Sequence, residues 1–160
     1  MCEAFMSTQL SELDRCLIHR AVEDLVNEAQ NALDERDFGR FAALFVENGR
    51  LFRPTTPDPL VGPDAIRDSY GKNPPNRFNR HLITNFRVDI HSSVEVKARA
   101  YVTLMSTEAG DQVAEVFGAP VHRCLVGEFH DHCVRTKNGW RFQERRAEFT
   151  LNMPIARDES

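Results

Sequence analysis

The spacing of the apolar residues changes once along the chain, near Arg80, and that change restricts the fold more than any other feature. Before it, Ile18, Val22, Leu25, Val26, Ala29 and Leu33 recur every three or four positions, the apolar stripe of one long helix. Ser11-Glu-Leu-Asp14 reads as its capping box. Asp37 is the expected N-cap of a second, short helix carrying Phe41, Leu44 and Phe45, with Gly49 as a left-handed stop. Arg50-Leu-Phe-Arg53 reads as a short strand cut off by Pro54. Gly62-Pro63 then opens a third helix with Ile66 and Tyr70 on one side.

After Arg80 the period is two. Leu82, Thr84, Phe86, Val88 and Ile90 are expected on one strand face, and Val94, Val96, Ala98, Ala100, Val102 and Leu104 on alternate positions of a second strand. Gly110 to Pro120 is predicted as a loop with an apolar insert, Val116-Phe117. Strands resume at Cys124–Arg135 and Trp140–Leu151, joined by an Asn138-Gly139 hairpin signal. Helices followed by an antiparallel meander predict an α+β domain, with the helices on one face of a curved sheet. One domain over 1–160 is expected, with flexible tails at 1–11 and 153–160.

Composition excludes several classes. Apolar residues make up 41% of the chain, and glycine and proline only eight positions each, so low-complexity disorder is excluded. No apolar run approaches the roughly 20 residues that span a bilayer. The net charge of −4 comes from mixed signs, without the clustered positive charge that nucleic acid demands. Met1 to Ser7 lack a secretory signal, which predicts a cytoplasmic protein. Its four cysteines form no C-x-x-C pair and are expected as reduced, half-buried residues, Cys124 and Cys133 being the one conceivable pair, across a hairpin.

The chain has no G-x-G-x-x-G, phosphate-binding loop, G-x-S-x-G or H-E-x-x-H motif, which leaves acid–base chemistry by side chains. His81 opens a strand after a proline-rich loop, and an unperturbed imidazole suits a general base at neutral pH. Strict alternation puts Ile83, Asn85, Arg87 and Asp89 on its face; the bland alternative is a histidine on a solvated strand edge. Asp34 ends the long helix behind a stripe of amides, Asn27, Gln30 and Asn31, that suits the border of a cavity. Its plainer reading is a cap between two helices, a role that Asp37 fills better. His130-Asp-His132 could hold a metal, with His122 and Cys124 on the same parity, but no further ligand stands at a suitable spacing, and a polar outer sheet face is the simpler reading. One of Arg145 and Arg146 should point inward, where a guanidinium must be paired or must serve an anion or carbonyl. Alternation leaves open which.

Five segments carry a resemblance: Ala32-Leu-Asp34 through Phe45, Gly62-Pro-Asp-Ala-Ile66, Arg80-His81-Leu-Ile-Thr84-Asn85, Gly127-Glu-Phe-His-Asp131, and Asn138-Gly139-Trp140 through Arg145. In order and spacing they resemble the SnoaL-like branch of the nuclear-transport-factor-2-like superfamily, from about residue 12 to residue 152. The resemblance implies a cone: a strongly bent antiparallel sheet around N-terminal helices, with a deep pocket at the open end. In dehydratase and dehydrochlorinase members a histidine and an aspartate pair at the positions of His81 and Asp34, and the arginine after the Gly-Trp turn matches Arg145. With His81 inward, Asn85 falls on the same wall. Two departures stand out. Ala29 replaces the tyrosine of bile-acid dehydratase-type members, and Leu104 and Met105 stand where a second ionisable pocket residue is found.

The resemblance implies a lyase or isomerase without cofactor or metal, acting on a hydrophobic polyketide-, steroid- or aromatic-like molecule. His81 would be the base, Asp34 its orienting partner, and Phe45, Phe52 and Phe129 apolar walls, with Tyr70, Tyr101 or His130 as the acid. The alternative is a non-catalytic small subunit, similar to those of ring-hydroxylating dioxygenases. Relatives imply a homodimer or homotrimer through the outer sheet face, where Val126 and Val134 are expected.

Overall fold

A computed structural model describes residues 9–108 and 118–154. The expected tails fall largely outside these residues, as do Cys2 and the Val116-Phe117 insert; within them, Ser11 caps the first helix and the last strand runs through Pro154. The elements are α1 (Glu12–Asp34), α2 (Phe38–Ala42), β1 (Phe45–Phe52), β2 (Leu60–Val61), α3 (Pro63–Gly71), β3 (Arg77–Ile90), β4 (Glu95–Glu108), β5 (Arg123–Thr136) and β6 (Gly139–Pro154). Six strands form one sheet in the order β2-β1-β6-β5-β4-β3. The expected meander is β3 to β6, antiparallel throughout, while β1 lies parallel to β6. The curved sheet wraps α1, giving the α+β cone.

The capping box is complete: Ser11 Oγ accepts from the Asp14 backbone N–H at 3.1 Å, and Asp14 Oδ2 accepts from the Ser11 N–H at 3.0 Å. Every residue of the α1 stripe is buried, packed against Val96, Ala98, Cys133, Trp140 and Phe142 of the sheet. Burial of one such side chain is worth about 1.5–3 kcal/mol, so this face holds the helix inside the cone.

At its C-terminus α1 ends in a Schellman motif. The Arg36 N–H donates to Leu33 O at 3.1 Å and the Asp37 N–H to Ala32 O at 2.8 Å, with Arg36 at φ 62° in the left-handed region where glycine is usual. Its side chain holds the conformation: the guanidinium donates to the carbonyls of Arg77 and Asn73, each at 3.2 Å, and lies over Phe38. This ties the end of α1 to the start of β3.

Several local expectations are corrected. Helix α2 stops at Ala42, and Phe45 begins β1. Gly49 is not the left-handed stop; it sits within β1, where an added Cβ would meet Val46 O at 2.9 Å and Phe142 O at 3.0 Å. In the β5–β6 turn only Gly139 has a positive φ, 94°; the two turn residues are Lys137 and Asn138, and Gly139 pairs with Thr136 as the first residue of β6. Cys124 and Cys133 lie on the same strand, nine positions apart at about 3.3 Å each, too far to bridge; both are free and buried, and Cys16 is exposed.

Strand β3 departs most from strict alternation. A bulge between Thr84 and Arg87 places Asn85 at φ 52° and shifts the pleat by one residue. Before the bulge, His81 and Ile83 point inward and Leu82 is half exposed; after it, Phe86, Val88 and Ile90 point inward.

A second bulge, where β6 skips Thr150 opposite Gly127, brings the strands very close. A Cβ on Gly127 would lie 1.9 Å from Glu148 O and 2.7 Å from Phe149 Cα. Gly127→Ala should therefore destabilise the fold by about 3 kcal/mol, because the obstacle is backbone with nowhere to move. Denaturant unfolding of the variant measures this.

Candidate active site

The open end of the cone holds a cavity of about 420 Å³. Its wall is drawn from the ends of α1, β1 and α3, from the starts of β3 and β5, and from the distal half of β6. His81 lines it, and Asp34 stands behind the ring. His81 Nδ1 and Asp34 Oδ1 are 2.6 Å apart, and the His81 backbone N–H donates to Asp34 Oδ2 at 2.9 Å. The two side chains are only 8% and 14% exposed. Both carboxylate oxygens thus act as acceptors, so the Nδ1 proton is held by Asp34 and Nε2 is left as the basic nitrogen. The geometry arises locally: the Schellman turn fixes Asp34, and Arg36 pins β3 beside it.

Arg145 points inward and Arg146 does not. Arg145 is 2% exposed, lies 4.6 Å from the Phe129 ring centre and 4.2 Å from that of Phe142, and donates through Nε and Nη2 to Asp131, both at 2.7 Å. Asp131 sits directly across from it on β5 and is equally buried. Two bonds of a flat fork fix the guanidinium plane, and Nη1 is left without a partner. Arg146 instead stacks on Phe52 at 3.8 Å, away from the cavity.

The other sequence-predicted residues divide cleanly. Tyr70 and Phe129 line the cavity. Phe45 is buried in the core between Phe41 and Phe142 and does not reach it. Phe52 lies under Arg146. Asn85 is exposed within the bulge, which has broken the alternation that would place it with His81. Tyr101 is 42% exposed on the outer face of β4. Of the three acid candidates only Tyr70 is in place, since His130 is exposed and paired with Glu128 at 3.4 Å. Burial pushes the Tyr70 phenol above its ordinary pKa, against the pull of Arg53 and Arg145. His132 Nε2 lies 2.8 Å from Glu95, so the two strand histidines answer to different carboxylates, and among the described residues no group of three metal-type ligands forms.

Sequence reasoning missed Asp131, hidden between two histidines that drew the attention, and Arg53, which it took only as the end of a strand. It half-found Gln30. Of the amide stripe, Asn27 and Asn31 are exposed, while Gln30 is 3% exposed and lines the cavity with neither its Oε1 nor its Nε2 partnered. An unpaired buried amide costs about 1–3 kcal/mol. Gln30→Leu should accordingly stabilise the free protein by about 1 kcal/mol, read as a raised urea midpoint with an unchanged slope.

No curated protein matches the chain in sequence. Solved structures do match in fold. A nominal scytalone dehydratase from Novosphingobium aromaticivorans superposes with a TM-score of 0.72 at 21% identity, over 91% of this chain and 93% of that one. A type 2 hexachlorocyclohexane dehydrochlorinase gives 0.74 at 20% identity over 91% and 94%. The type 3 enzyme from Novosphingobium barchaimii gives 0.73 at 21% over 91% and 95%. A sequence model of the SnoaL-like domain matches residues 14–146, a span that holds both members of the imidazole–carboxylate pair and the buried arginine. The chain therefore belongs to the SnoaL-like family, within the nuclear-transport-factor-2-like superfamily.

Proposed function

We propose that the protein is a cofactor-independent lyase or isomerase acting on a small, largely apolar molecule by proton abstraction from carbon. The observation that carries this reading is the 2.6 Å contact between His81 and Asp34 at the wall of the cavity. His81 Nε2 takes a carbon-bound proton, and Asp34 stabilises the imidazolium that forms. The C–H electron pair becomes a new double bond. In an elimination a chloride departs with its own electrons, or a hydroxyl departs as water on a proton from Tyr70. In an isomerisation the proton returns to a different carbon. Arg145 Nη1 supports negative charge as it develops. The structural likeness to a nominal scytalone dehydratase and to a hexachlorocyclohexane dehydrochlorinase favours elimination.

This reading has the chain working in the cytoplasm as a homodimer or homotrimer through the outer sheet face. There, Leu82, Thr103, Val126 and Leu151 stand in one cross-strand row.

The test is NMR in D2O on polychlorinated cyclohexanes, on β-hydroxy ketones and on carboxylated analogues of both. Loss of chloride or water, or deuterium entry at carbon, should depend on His81. Equal rates with wild-type protein and with the His81→Gln variant on a substrate that turns over would overturn the reading.

A further inference from the structure

The cavity wall differs in charge from the molecule around it. The chain carries a net charge of −4. Yet Arg36, Arg53, Arg77, Arg123 and Arg145 line the cavity, and no carboxylate does among the described residues. The remaining wall is mostly aliphatic and aromatic. Asp131 neutralises Arg145, and Asp34 faces His81, so neither of these carboxylates offsets Arg53.

Two of these groups keep donors free and buried. Arg53 donates through Nη2 to Ser69 Oγ at 2.8 Å and lies over the Tyr70 ring at 5.1 Å, while its Nε is buried without a partner. Arg145 Nη1 is in the same condition. Gln30 lines the same cavity, and neither atom of its buried amide has a partner. Buried donors of this kind are normally satisfied, and a guanidinium held by stacking and one fixed bond is already oriented for an oxyanion.

We propose that the substrate is an anion: a largely apolar molecule bearing a carboxylate, with Arg53 supplying the countercharge and Gln30 Nε2 a further donor. The proposal rests on reading this cavity as the substrate site, and it names the chemistry that the cavity selects. A neutral molecule of the same shape leaves the arginine donor unanswered, and a cation meets repulsion.

The test is calorimetric binding of two probes of matched shape, naphthoate and naphthylmethanol, which requires no turnover. Naphthoate should bind about tenfold more tightly, the scale of one charge-assisted hydrogen bond. Arg53→Gln should remove that preference. Gln30→Leu, expected to fold more stably than the parent, should weaken naphthoate about threefold or more. Arg99→Gln, on the outer face, should change neither. Equal binding of the two probes, no binding of naphthoate, or naphthoate affinity untouched by Arg53→Gln would each overturn the proposal. The His81→Gln variant separates the two readings. Loss of turnover in that variant without naphthoate preference in the parent sinks only the anion. Naphthoate preference in the parent with undiminished turnover in that variant sinks only the lyase.

Discussion

Replacing His81 by Gln should lower kcat/KM by roughly 10²–10⁴-fold on whichever probe is turned over, the range that a positioned general base contributes. Glutamine fills similar space but offers no basic nitrogen. Asp34→Asn should fall in the same range for a different reason. The carboxylate holds the Nδ1 proton through one oxygen and receives the His81 backbone N–H through the other. An amide keeps one acceptor and loses the charge that stabilises the imidazolium. Because the two residues act as one unit, the double variant should cost little more than either single one. Circular dichroism and thermal unfolding of both variants should resemble the parent, since Asn retains a partner for the β3 backbone. Full activity in either variant would remove the pair from the mechanism.

Asp131→Ala should cost about 3–5 kcal/mol of stability, the largest effect of any single surface-preserving change in the site. The arginine it serves is sandwiched between two phenyl rings and nearly inaccessible, so without Asp131 a bare guanidinium stays in apolar surroundings. Removing the pair together should be far milder. The double variant Asp131→Leu with Arg145→Met trades a costly desolvated ion pair for dispersion contacts, and should unfold within about 1–2 kcal/mol of the parent. Urea titrations of the two variants decide the matter. A single variant as stable as the double would show that the ion pair does not stabilise this end of the sheet.

Much of this was legible in one dimension. The stripe from Ile18 to Leu33 and the box at Ser11 specify a long helix, because one buried face at 3.6-residue spacing and satisfied end donors are local properties. His81 and Asp34 could be named as candidates from residue type and position at the element ends. Arg145 could only be narrowed to one of two neighbours. Asn85, Tyr101, Phe45 and Phe52 illustrate what a linear reading misses. The bulge in β3 reverses the pleat just past His81, and the start of β1 at Phe45 turns that ring into the core. A one-residue shift in register changes which face every later side chain occupies, and nothing at the shifted residue announces it.

The chain's own periodicity determined the element types, the helix-then-sheet order and the long helix's inward face, since each depends on neighbours a few residues away. Tertiary structure alone decided the parallel docking of β1 on β6, the pairing of Arg145 with Asp131 and the arginine-lined cavity. Those depend on groups far apart in sequence being brought within a few ångströms, where burial removes water and makes each unmatched charge or amide count.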